Sequence, residues 1–148
     1  MISGTRKPFG PALERALHFL STLLLRNSRE NYVMRHASRV LEALAGLNNP
    51  RNGSMKSQAG FLKEEIYKLN RELGFGEGEP FPKILSDGLR RISSAMAQNR
   101  VPWGAPGHVE YKYSAKILRD LYYLSLEPTR EFGQHLKNDV DGMLREMR

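Results

Sequence analysis

The chain is predicted to be all-α: a single-domain, irregular bundle of about six helices spanning residues 1–148, with residues 1–10 as a flexible N-terminal arm. Three observations carry this. Apolar residues recur with the 3.6-residue period in six segments separated by loops rich in Pro and Gly. β-Branched runs are few, and no pair of alternating stretches reads as paired strands. A length of 148 residues, 40% of them apolar, is enough to bury one core.

The first segment opens at Pro11, a favoured first-turn residue, and runs to about Arg26 with Leu13, Leu17, Leu20 and Leu24 on one stripe. Phe19, Leu23 and Leu25 widen that stripe until the second half is apolar nearly all round, as in a helix buried in a core or an interface. Asn27 or Ser28 is the expected cap of a second helix that turns Val33, Ala37, Val40, Leu41 and Leu44 inward and stops at Gly46. Asn31, Arg35, Arg39 and Glu42 fall on its solvent side. After a loop from Leu47 to about Lys56, Ser57 is expected to cap a third helix, Gln58 to Leu73, with Leu62, Ile66, Leu69 and Leu73 inward.

Gly74 to Pro80 reads as a helix end and a connector. Pro82 opens a fourth helix with Leu85, Leu89, Ile92 and Met96 inward. Gly88 within it costs about 1 kcal/mol against alanine, which implies close packing or a bend. The loop Val101 to His108 holds the single tryptophan, Trp103. Beyond it, Val109, Tyr111 and Tyr113 alternate with Glu110 and Lys112 as in a strand, while Ile117, Leu118, Leu121 and Leu124 resume the helical period. The sequence therefore predicts helix from about Glu110. Pro128 and Thr129 restart the chain for a last helix with Phe132, Leu136, Val140, Met143 and Met147 on one seam.

Several function classes are excluded by composition. With no cysteine there is no disulfide, thiolate zinc site, iron–sulfur cluster or cysteine nucleophile. The longest apolar run, Ala16 to Leu25, is broken by His18, Ser21 and Thr22 and has about half of the ~20 residues a membrane span needs. No small-residue cleavage site follows it, so no secretory signal is expected and an intracellular protein is favoured.

Motifs for catalysis are thin. Gly74, Gly76 and Gly78 resemble a phosphate loop in spacing, but a helix precedes them and Glu77 and Glu79 would repel an anion. His135 and Asp139 share a helix face, yet two ligands do not make a metal site. His18 lies in an apolar helix and reads as a core or interface histidine. His108, following Pro106 and Gly107, is the histidine best placed for a working role. No serine elbow occurs. No catalytic residue, metal or cofactor is assigned, and the chain is expected not to be an enzyme.

Charge points toward binding. Residues 1–60 hold nine basic and three acidic residues and so carry six of the seven net positive charges. Such a block draws polyanions by releasing their counterions, although arginine bias alone would look the same. Arg35 and Arg39 lie one turn apart on the second helix, with Arg29, Arg51 and Lys56 as outer contacts. Lys112, Lys116, Arg119 and Tyr123 fall at i, i+4, i+7 and i+11 on the fifth, a row of cations ending in a ring that could stack on a base. The expected function is binding of nucleic acid, RNA or single strands, through the phosphate backbone with little sequence preference, as in a small subunit of a nucleoprotein assembly. The alternative is a helical adaptor or oligomerisation module, to which the apolar first helix, Met143, Met147 and Trp103 would contribute. The nucleic-acid reading requires the two cationic helix faces to converge on one surface.

Overall fold

The six amphipathic stretches fold as six helices in a computed structural model that describes residues 7–50, 53–74, 79–98, 104–105 and 107–147. They are α1 (Pro11–Ser28), α2 (Tyr32–Ala45), α3 (Met55–Leu73), α4 (Lys83–Gln98), α5 (His108–Leu126) and α6 (Arg130–Glu146), with a 3-10 turn at Gly46–Asn48. No strand occurs among the described residues, and no helix among them is long and apolar enough to cross a membrane.

Two boundaries differ from expectation. Helix α1 runs past Arg26 and absorbs Asn27 and Ser28 in its last turn, so neither caps α2. Asn31 does, its side chain accepting from the Met34 N–H at 2.9 Å. The chain reverses between the two helices at Arg29, whose φ of 41° is rare for a residue with a side chain. Ser54 rather than Ser57 caps α3, by accepting from the Ser57 N–H at 3.2 Å. In each case the first polar residue able to reach an orphan amide takes the role.

Helix α2 packs between α1 and α3, and α5 packs between α4 and α6. The two three-helix halves meet along α3 and α6, and over a shorter contact along α1 and α4. Every inward stripe read from the second to the last helix is buried, Met143 and Met147 included, except that Phe132 is partly exposed at the start of its seam. Those two methionines close the core of the single chain and offer no surface to a partner.

The alternation at the start of α5 has a tertiary cause. Residues two apart on a helix point to opposite sides, and α5 has a neighbour on each. Tyr111 turns to α4, its hydroxyl donating to the Met96 carbonyl at 2.7 Å, while Tyr113 turns to α6 and donates to Glu146. Gly142 makes room for the second ring, because a Cβ there would come within 2.8 Å of it.

The segment before α1 is not a free arm from Lys7 onward. Phe9 is buried, and the buried Asn48 side chain accepts from its N–H and donates to its carbonyl, both at 2.9 Å. The same Asn48 amide donates to Glu14 at 2.7 Å. Residues 1–6 lie outside the described residues. Removing this clasp strands two buried backbone groups at about 1–3 kcal/mol each. Asn48→Ala is therefore expected to lower the unfolding free energy by about 2–4 kcal/mol, read as a shift of the urea midpoint with unchanged slope.

Candidate binding surfaces

The expected cations of α2 and of α5 belong to different halves of the fold. Because α2 and α5 are the middle helices of the two halves, their outward faces point away from each other. Arg35 lies over the Tyr32 ring, 5.1 Å from its centroid, and donates to the Arg29 carbonyl at 2.5 Å. Arg39 borders a depression of mixed charge, lined also by Glu14, Glu42 and Glu65 and by His18 and Lys68. Arg29 and Lys56 are exposed at the start of α2 and α3 respectively. Arg51 and Trp103 lie outside the described residues. Tyr123 is half-exposed, but one face of its ring stacks on Phe132 of α6, with centroids 5.8 Å apart and planes 18° off parallel.

On α5 the cations do lie together, on a ridge with different neighbours on its two flanks. Toward α6 they meet acids: Lys112 Nζ is 3.5 Å from Glu146, and Arg119 Nε is 3.7 Å from Asp120. Lys112 and Lys116 each sit 5.1 Å from the Tyr113 centroid. Burial and the Glu146 carboxylate push the Tyr113 hydroxyl up to about 12, so it stays protonated and donates. Toward α4 the same cations border a cavity of about 360 Å³, shared with His108.

Sequence spacing placed His135 and Asp139 together, and the fold separates their roles. His135 is exposed and meets the Phe132 ring edge-on, whereas Asp139 hydrogen-bonds the buried Asp120. No cluster of three potential metal ligands occurs among the described residues. His18, expected in a core or interface, is exposed and lies 3.1 Å from Glu42.

Burial, followed by the Asp120 hydrogen bond and charge, pushes the Asp139 carboxyl well above the usual carboxylate range. The folded state therefore holds a proton that the unfolded chain has already released. Stability from this group is complete below the ordinary Asp range and is lost as pH rises through the raised value. Asp139→Asn keeps a donor toward Asp120 and cannot ionise. It is expected to match the parent near pH 4 and to exceed it by about 1–2 kcal/mol near pH 9, measured by denaturant titration at both pH values.

A second surface lies where α1 meets α4. The helices run antiparallel: a Cβ on Gly88 would fall 2.9 Å from Leu20, and Leu13 and Ala16 line a cavity of about 560 Å³ with Ile92 and Ala95. Gly88 thus marks the close packing that the sequence implied. Beside the crossing, Phe19 and Ile84 are the most exposed large apolar side chains among the described residues, at 67% and 70%, and Leu25 is 54% exposed. The first helix is therefore not buried all round.

Arg91 of α4 lines this cavity, and Arg15 and Arg26 on α1 and Lys83 and Arg90 on α4 are also exposed; none of the five forms an ion pair among the described residues. Asp87 is the acid that α4 adds there. The sequence carried one sign of the seam that went unread: Ile84 stands outside the inward stripe of its helix.

The result is an all-α, six-helix domain with a basic cavity on one half and a basic, apolar seam joining the two. Comparison with known proteins finds no family model, curated protein or solved structure that matches the chain.

Proposed function

We propose that this protein is a helical adaptor whose α1–α4 seam docks an acidic amphipathic helix of a partner protein. The observation that carries the reading is the coincidence of Phe19 and Ile84, both more than half exposed, with the α1–α4 cavity that the exposed Arg91 lines. Large exposed apolar residues beside a groove are the usual centre of a protein interface, and the charged rim selects the partner's sign. A second copy of the chain would bring the same cations against themselves, which disfavours self-association through this face. The placement of the α2 and α5 cations on the middle helices of separate halves lends the adaptor reading more support than the nucleic-acid one.

The test is a binding titration with a labelled helical peptide that carries leucines on one face and glutamates on the other. Saturable micromolar binding that weakens with salt, with no binding of the lysine-faced counterpart, supports the proposal. Equal binding of both peptides, or of neither, overturns it. So does tight binding of a labelled single-stranded oligonucleotide that falls steeply with salt and is lost in Lys116→Ala with Arg119→Ala, since that result restores the polyanion reading.

A further inference from the structure

We propose that the cavity between α4 and α5 binds a small organic phosphate, with the phosphate held by the α5 cations and a compact apolar body seated against the helix walls. The inference is independent of the α1–α4 seam. The cavity volume of about 360 Å³ lies within the usual range of small-molecule sites. Its lining divides by chemistry. Lys112, Lys116, Arg119 and His108 supply the basic side, Met96 and Ala97 are among the apolar walls, and no carboxylate among the described residues lines it. An all-basic rim above an apolar floor suits an amphiphilic anion better than a bare ion, because the floor contributes only when apolar surface is buried there.

The acids near these cations approach from the opposite flank, where Glu146 meets Lys112 and Asp120 meets Arg119. The Lys112–Glu146 pair is partly exposed on both sides, and such a pair is worth less than about 1 kcal/mol, so an entering phosphate can displace it. Among the described residues Arg119 meets Asp120 through Nε, leaving the planar end of the guanidinium for bidentate contact with a phosphate. Asp120 and Asp139 share a hydrogen bond that retains a proton, so they oppose Lys116 and Arg119 with less than two full charges. The fifth-helix cations picked out by their spacing thus act as the wall of a pocket.

The experiment is calorimetric titration of the full chain with phenyl phosphate, inorganic phosphate and phenol. Phenyl phosphate is expected to bind at least tenfold more tightly than either of the others. Lys116→Ala is expected to weaken it by about 10- to 100-fold through loss of a charge-assisted contact. Ala97→Leu leaves every cation in place and fills the cavity wall, and it should abolish binding while the thermal melt stays within a few degrees of the parent. Arg35→Ala, on the far side of the molecule, should change nothing.

A phosphate at a nucleic-acid end carries the same chemistry. Competition by a 5′-phosphorylated oligonucleotide, but not by its 5′-hydroxyl form, assigns the site to strand ends. Competition by neither assigns it to free metabolites, and both results support an organic-phosphate pocket. Phenyl phosphate and inorganic phosphate binding alike, binding that survives Ala97→Leu, or no binding of phenyl phosphate overturns the proposal.

Discussion

Leu24→Ala is expected to lower the unfolding free energy by about 2–5 kcal/mol, while Leu25→Ala, the next residue, changes it by less than about 0.5 kcal/mol. Both leucines belong to the same apolar run; helical spacing puts Leu24 on the inward stripe but leaves open whether Leu25, which widens it, is also enclosed. The fold decides: Leu24 is fully buried, whereas Leu25 is 54% exposed. Truncating the first removes three carbons from a packed interior and leaves a cavity that rigid neighbours fill only in part. Truncating the second removes carbons that mostly face water. Paired denaturant titrations of the two variants measure the difference directly. Costs of similar size would mean that α1 is enclosed on all sides.

The double variant Phe19→Asp with Ile84→Asp is expected to weaken docking of the acidic helical peptide by about 100-fold or more. It removes two apolar anchors and places two negative charges where the partner brings its own. Global stability should stay within about 1 kcal/mol, because both side chains are more than two-thirds exposed in the free protein. Circular dichroism and thermal melting of the variant separate loss of docking from loss of folding. Unchanged peptide affinity in a folded double variant would remove the seam from the binding surface. Charge reversal at Arg91, which borders the same crossing, should act mainly on the association rate and its salt dependence.

Much of the architecture was legible in the residues themselves. Leu62, Ile66 and Leu69 on α3, or Leu85, Leu89 and Ile92 on α4, repeat at a spacing that only a helix converts into one face, and all six are buried. Pro11 marks a helix start by backbone chemistry that requires no neighbour, whereas Gly46 keeps a right-handed conformation and its missing side chain makes room for Gln58 of α3. The caps of α2 and α3 were less legible, because several Asn and Ser residues stand close enough to compete. Phe9 was read as part of an arm since its partner, Asn48, lies far along the chain.

The candidate surfaces divide in the same way. Spacing placed Lys112, Lys116 and Arg119 on one side of α5, and the fold keeps them there. That Glu146 meets Lys112 from one flank, and that a cavity opens on the other, depends on how α4 and α6 pack against α5.

The residues of this chain, taken one helix at a time, determined that it forms six amphipathic helices and which stripe of most of them turns inward, because periodicity and capping are settled within a few neighbouring residues. Only the tertiary structure decided that the α2 and α5 cations face apart, that α1 leaves Phe19 and Leu25 in water, and that a groove remains beside α4. Burial and electrostatics depend on distances through space between segments far apart in sequence, and those distances exist only once the helices have packed.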